Sequence, residues 1–386
     1  MLFPNAKIFP FLAVIFMLFS VAGTFAQEIS NGNRNTQRIE TGVPFLMIGP
    51  DARSGAMGDA GVAISPDGNS IHWNPSKLAF LDERSAVAVS YSPWLQNLVS
   101  DMYLAYLGGY YKIDDRNTVA VSLRYFSAGD IELREGPADV PGIARPNELA
   151  VDGTLARKFG RDFSLATSLR FVYSNLSGGQ AVQGQQVRAG TAIAVDVSGY
   201  YKHETVVFGK DNVIAAGANI SNIGSKISYT DGGRKLFLPT NLKIGAASTV
   251  FFDAQNEFTL TLDINKLLVP SPPIRDSGGN IESGKDPDKS VPTAIFGSFS
   301  DAPGGFSEEL REISYSVGAE YLYNKLLAIR AGYFYENPEK GDRRYLTLGA
   351  GLRYNKFKLD FSYLAASQDK SPLANTLRFT LGYKIK

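Results

Sequence analysis

Past residue 26 the chain has no uninterrupted apolar stretch approaching the roughly 20 residues that a membrane-spanning helix needs. If it lives in a bilayer it does so as a closed β-barrel, because hydrocarbon offers no partner to the polar groups of an open sheet edge. Cysteine is absent altogether, which excludes disulfide staples and thiol catalysis. The two histidines, His72 and His203, lie far apart and support neither a zinc site nor a histidine-based triad. There is no Gly-x-Ser-x-Gly elbow, no P-loop and no His-Glu-x-x-His. The cluster from Gly55 to Gly61 lacks a surrounding strand–turn–helix unit, and Glu282, Asp286 and Asp288 lack the spacing of a calcium loop. No catalytic residue, metal or cofactor is therefore expected. A formal net charge of +1 lacks the concentrated basic face that phosphate neutralisation needs, so nucleic acid is not an expected partner.

What the chain does have, from about Arg84 to Lys386, is an alternation of apolar and polar residues in segments of about ten, the pattern of a transmembrane β-barrel. Phe163, Leu165, Leu169, Phe171 and Tyr173 fall on one face, and Ser164, Ala166, Ser168 and Arg170 on the other. Phe258, Leu260, Leu262 and Ile264 alternate with Thr259, Thr261, Asp263 and Asn265, and Phe357, Leu359, Phe361 and Tyr363 with Lys358, Asp360 and Ser362. The strands of a soluble sandwich also alternate, but average about five or six residues, whereas a tilted bilayer crossing takes about nine to eleven. A mean hydropathy of −0.10 suits a barrel, whose greasy exterior is averaged with a polar lumen.

The spacing predicts about fourteen strands, an even count as a single-chain bacterial barrel requires. Short links at 113–115, 160–161, 323–325 and 354–356 carry Asp, Asn or Gly and read as periplasmic turns. Long links at 128–146, 176–187, 223–238 and 267–310 read as external loops. In the last, eight prolines and glycines from Pro270 to Pro292 argue against regular structure, while 293–299 has the composition of a short strand. It reads either as a disordered loop or as a partner-binding one. Arg124, Arg170, Glu320, Arg330, Arg353, Asp360 and Arg378 are placed to project inward; Trp94, Tyr103, Tyr110, Tyr111, Tyr125, Tyr173, Tyr200, Tyr201 and Tyr354 read as aromatic girdles.

The amino-terminal residues 1–26 hold one cation, Lys7, an apolar run at 8–19 and the small-residue pattern Thr24-Phe25-Ala26, which reads as a cleaved signal peptide. The expected organisation is signal peptide 1–26, extension and hatch 27–83, and barrel 84–386. Residues 43–81 break the β rhythm with a density of glycine and small side chains that suits a plug packed in a lumen. Within it, Asp51-Ala52-Arg53-Ser54, Met57-Gly58-Asp59-Ala60 and Trp73-Asn74-Pro75 resemble the start of the PorV family, outer-membrane barrels of the type IX secretion system of Bacteroidota. The architecture is similar to that of the long-chain fatty-acid channels. One departure is the ending Lys384-Ile385-Lys386, where barrels commonly end on an aromatic residue.

The resemblance implies a non-enzymatic outer-membrane protein that binds the C-terminal signal domain of secreted cargo, leaves the translocon channel with it, and delivers it to a sortase complex for attachment to lipopolysaccharide. The alternative is a channel for hydrophobic small molecules such as long-chain fatty acids. Asp51, Arg53, Ser54, Met57, Gly58, Asp59, Trp73, Asn74 and Pro75 are the expected hatch residues, with Asp51, Arg53 and Asp59 paired because charge inside a plug is costly otherwise. Asp130, Glu132, Arg134, Pro270, Pro272, Pro273, Arg275 and Asp286 are the expected partner-binding positions on the external loops.

Overall fold

The computed structural model describes residues 38–94, 101–133, 142–178, 181–182, 185–230, 232–366 and 375–385. The expected signal peptide, residues 27–37 of the extension, and Arg134 lie outside the described residues. Fourteen antiparallel strands close into one barrel, each paired with its neighbours in sequence and the last with the first. They are β1 (Ser85–Pro93), β2 (Tyr103–Lys112), β3 (Asn117–Ser127), β4 (Asn147–Phe159), β5 (Phe163–Asn175), β6 (Gly190–Val207) and β7 (Lys210–Gly224), followed by β8 (Asn241–Phe251), β9 (Glu257–Leu267), β10 (Ile313–Tyr323), β11 (Leu327–Tyr335), β12 (Arg344–Tyr354), β13 (Phe357–Ala366) and β14 (Thr376–Lys384). No helix among the described residues is long and apolar enough to cross a membrane.

The period-two pattern becomes an inside and an outside. Leu169 is 60% exposed while Arg170, one residue on, is 3% exposed, and the same alternation runs through all of β5. An apolar outer wall suits lipid, and the serines, threonines and charges of the inner wall suit a polar interior. Tight links fall at one end of the barrel, where Asn324, Lys325 and Asn355 take φ of 52°, 50° and 52°, the left-handed conformation that two-residue hairpins require. Long links fall at the other end, as the sequence pattern predicts. Tyr91, Tyr103 and Tyr125 line up across β1, β2 and β3 with ring centroids 5.6 and 6.0 Å apart. Tyr110 and Tyr200 depart from the girdle expectation: both point inward, because the pleat puts them on the luminal face at the short-turn end. There they cover apolar residues of the hatch, with Tyr200 edge-on to Phe80 at 5.6 Å.

The long link between β9 and β10 is more ordered than its prolines and glycines suggest. It folds into a small hairpin, Ile274–Arg275 with Ile281–Ser283, and two helices, Val291–Gly297 and Phe306–Arg311. Residues 293–297 are thus helical and 298–299 form a turn, rather than a short strand. Pro292 sits in the first helical turn, where its fixed φ and missing N–H are tolerated. Ion pairs fasten the link to the barrel rim: Lys266 reaches Glu309 at 2.9 Å and Glu312 at 2.7 Å, and Lys340 reaches Glu308 and Glu312.

In detergent the protein is expected to show a β-dominated circular dichroism spectrum and to migrate differently on gels before and after boiling. A helix-dominated spectrum would contradict the barrel.

Candidate functional site

Residues 38–84 form the hatch, a run of short turns and single helical turns inside the barrel. At the long-loop end Val43, Phe45 and Leu46 pack into an apolar cluster with Leu104, Val172, Ala192, Ile227 and Leu238. At the short-turn end Leu78, Ala79 and Leu81 pack against Tyr110, Ala156 and Ala166. Between these clusters the hatch is held by polar contacts to β3, β5, β6, β7, β9, β10, β12, β13 and β14.

Asp51 opens the first α-helical turn, Ala52–Gly55, by accepting a hydrogen bond from the Ser54 N–H at 2.9 Å. Its other oxygen accepts from the Trp73 indole N–H at 2.5 Å, tying two parts of the hatch together. Arg53, 1% exposed, spends all its donors. Nη2 and Nε meet the two oxygens of Glu320 at 2.7 and 3.1 Å in a fork, and Nη1 meets Asp67 at 3.2 Å and the Ser65 carbonyl at 3.0 Å. The network continues on the wall: Glu320 accepts from Arg330 Nε at 2.5 Å, Arg330 Nη1 reaches Asp360 at 2.7 Å, and Lys358 returns to Asp67 at 3.0 Å.

Asp59, the third charge expected to be paired, takes the Arg378 guanidinium and, at 2.6 Å, the Tyr345 hydroxyl. Gly58 beside it has φ 68°, and a Cβ there would stand 2.6 Å from the Tyr333 carbonyl oxygen. The wall makes matching room. A Cβ on Gly332 would lie 2.1 Å from the Met57 carbonyl carbon, so the Met57-Gly58 turn lies against bare backbone of β11. Asn74 caps the next turn, accepting from Ser76 while its amide donates to Val62 and to Gly199 of β6, each at 3.1 Å. Pro75 begins the 3₁₀ turn Pro75–Phe80.

Asp263 and Lys77 are anchors without a role in the sequence reading, whereas Arg124 is one of the charges that alternation places facing inward. Asp263 accepts from the backbone N–H of Gly61 and Val62 at 2.7 and 2.9 Å, and Lys77, 1% exposed, donates to the Gly61 carbonyl at 2.6 Å. Arg124 donates to the Leu46 carbonyl at 2.9 Å and lies 2.7 Å from His72 Nδ1. The place of Asp263 opposite Leu262 and Ile264 puts it in the lumen; its partner is set by the fold.

The fields follow from these contacts. Burial pushes the Asp59 carboxyl up, but Arg378 and Tyr345 outweigh it and hold the group below its ordinary value. Burial likewise opposes ionisation of Asp67, and Lys358 and Arg53 drive its carboxyl well down. Lys77 is pushed down to about 8, chiefly by burial.

The external-loop candidates divide. Asp130, Glu132, Arg275 and Asp286 are exposed, Pro272 and Pro273 half-buried, and Pro270 is buried and so offers no contact surface. Asp130 is engaged by Arg145 at 2.9 Å. The same side carries exposed aromatics that escaped the sequence reading: Phe296 is 80% and Phe306 76% exposed, with Phe299 and Leu310 beside them in sequence. A cavity of about 770 Å³ opens at the short-turn end, lined by Arg53, Asp67, Phe80, Tyr200, Arg353 and Lys358 among others.

A closed fourteen-stranded wall, apolar outside and filled by an ion-paired amino-terminal hatch, defines a plugged outer-membrane barrel. The profile of the family described as type IX secretion system protein PorV matches residues 31–274, and the chain belongs to that family. No curated protein sequence matches it. Among solved structures it is similar to the Pseudomonas putida toluene transporter TodX, at 12% identity and a TM-score of 0.54 over 87% of this chain and 98% of that one. A TodX deltaS2S3 mutant, a monoaromatic hydrocarbon channel, gives 12% and 0.50 over 86% and 97%. The Ralstonia pickettii toluene transporter TbuX gives 14% and 0.45 over 87% and 97%. At such identities the likeness speaks to the fold alone.

Two outcomes test the hatch. Arg53→Ala leaves Glu320 and Asp67 short of a buried partner, and removing one member of a buried pair costs about 3–5 kcal/mol. The variant should insert as a barrel yet expose residues 43–81 to protease; unchanged protection would deny Arg53 this role. Because Asp59 and Asp67 have lowered folded pKa values, their stabilisation is complete above the ordinary carboxylate range and is lost only as pH falls through the lower folded values. Protease protection of residues 43–81 should therefore hold from neutral pH to about 4 and fail only in stronger acid.

Proposed function

We propose that the protein is the outer-membrane member of the type IX secretion system that receives the C-terminal signal domain of secreted cargo and carries it from the translocon channel to the sortase complex at the cell surface. The role is binding and transfer, without a chemical step. One observation carries the reading: the interior is committed to a hatch bonded around the wall, while the long-loop end presents an ordered, rim-fastened element with Phe296 and Phe306 in the open. Large exposed aromatics add nothing to the stability of a loop, and such side chains are over-represented as anchors in protein interfaces. Membership of the PorV family supports the same direction. The translocon, the cargo domain, the sortase complex and lipopolysaccharide are the partners this role entails, and the short turns then face the periplasm as in other single-chain barrels.

The fold shared with the toluene transporter TodX keeps a second reading, a channel for hydrophobic small molecules. That reading needs the hatch to move and a continuous apolar path, whereas the cavity at the short-turn end is bordered by Arg53, Asp67, Arg353 and Lys358.

Replacing Phe296 and Phe306 together by serine should leave heat-modifiable barrel insertion intact and reduce crosslinked recovery of translocon and cargo from outer membranes at least about tenfold, the effect of ~1.4 kcal/mol of lost binding. Unchanged recovery and normal surface attachment of cargo would remove this face from the reading. Uptake of a labelled fatty acid dependent on the protein, with secretion unaffected, would favour the channel.

A further inference from the structure

The path of the hatch through the barrel has a direction. At its beginning the Gly42 N–H donates to the Phe237 carbonyl at 2.8 Å, and Glu40 pairs with Arg234 at 3.3 Å; both partners belong to the long link between β7 and β8. Val43, Phe45 and Leu46 then pack on Leu104, Ala150, Val172 and Ala192, each near the long-loop end of its strand. At its finish Leu78 and Leu81 pack on Tyr110, Ala156 and Ala166, each near a short turn, and β1 departs from that end at Ser85. The chain has therefore crossed the lumen once, from the long-loop end to the short-turn end, before the first strand begins.

We infer that the hatch is a threaded segment whose beginning, Arg38 to Glu40, stands on the outer surface of the cell. A hatch of this kind is a crosspiece held at both ends. It differs from a plug hinged only at β1, which could swing out into the periplasm with its free end leading. At the outer end it is held by the apolar cluster and the backbone bond to Phe237; at the inner end it is held by continuity with β1 and by Lys112, whose ammonium donates to the Leu81 carbonyl at 2.7 Å. The inference uses the barrel's orientation in the outer membrane, with short turns inward, and does not depend on which partners the external loops bind.

The absence of cysteine makes the test direct, since any introduced thiol is the only one in the chain. Arg38, Asp276 and Asp115 are all exposed, at the start of the hatch, on the β9–β10 link and in a short turn respectively. Single variants Arg38→Cys, Asp276→Cys and Asp115→Cys, in the full chain in cells, would be treated with a membrane-impermeant maleimide before and after permeabilising the outer membrane. Heat-modifiable migration checks that each has folded, and Glu40→Cys serves as a second site should Arg38→Cys fail that check. The expected result is that Arg38→Cys labels on intact cells to the same extent as Asp276→Cys, while Asp115→Cys labels only after permeabilisation. Labelling of Arg38→Cys only after permeabilisation would overturn the threaded path, and so would its protection under both conditions. Labelling of Asp115→Cys on intact cells with Asp276→Cys protected would overturn the orientation on which the inference rests.

Discussion

The hatch and the wall depend on each other through charge that neither could bury alone. Arg53 enters the lumen from the hatch, and Glu320 and Arg330 enter it from β10 and β11; all three are almost completely removed from solvent. A guanidinium in such a place stays charged only if carboxylates meet it in good geometry. The two-pronged contact with Glu320, continued through Arg330 to Asp360 and back through Lys358 to Asp67, satisfies that requirement by joining the hatch to β10, β11 and β13 at once. The arrangement sets register as well as stability, because a shift of one residue in any of these strands would turn its charge toward lipid.

The outer and inner faces of the strands were legible from alternation, and so was the number of strands, because a bilayer sets their length and a pleat sets their period. The inward aim of Arg124, Arg170, Glu320, Arg330, Asp360 and Arg378 was legible by the same rule. Which luminal group meets which hatch group was not. Arg53 and Glu320 are 267 residues apart and Asp59 and Arg378 are 319 apart, and alternation places a residue on a face without placing it at a height along the barrel. That height comes from strand stagger, which depends on the whole closed sheet. Tyr110 and Tyr200 show the complementary difficulty. An aromatic near a strand end suits a membrane interface by composition, and only the pleat decides that these two face the hatch instead. The β9–β10 link was hardest to read, since its prolines and glycines advertise breaks while its order rests on Lys266 and Lys340, which lie outside the segment that looked irregular.

A barrel with a committed interior has two surfaces left for function: the lipid-facing band and the ends. The band is predominantly apolar, and its aromatic residues suit a membrane interface. The ends differ in kind. Short turns close one with a minimum of chain, whereas the other carries structured links anchored by ion pairs that keep Phe296 and Phe306 in place. Rigid presentation of apolar side chains lowers the entropy lost when a partner covers them, which is how a loop can hold large cargo without a deep pocket.

The ladder that closes the cylinder has a consequence for biogenesis. Among the described residues β1 and β14 share six paired positions, from Ala86↔Lys384 to Tyr91↔Phe379, fewer than any other neighbours in the wall; β4 and β5, for comparison, are matched from Asn147↔Asn175 to Phe159↔Phe163. This junction joins the two extremes of the barrel sequence and is therefore the one place where the sheet can remain open while the other thirteen junctions form in order. A chain that passes through the finished cylinder has to lie in the trough of the curling sheet before that junction zips. Arg378 and Thr380 on β14 hold Asp59 and Ala52 of the hatch, so the enclosed segment supplies a template for the last strand to find its register. The cylinder would then close around an occupant that carries part of the register of its own last seam.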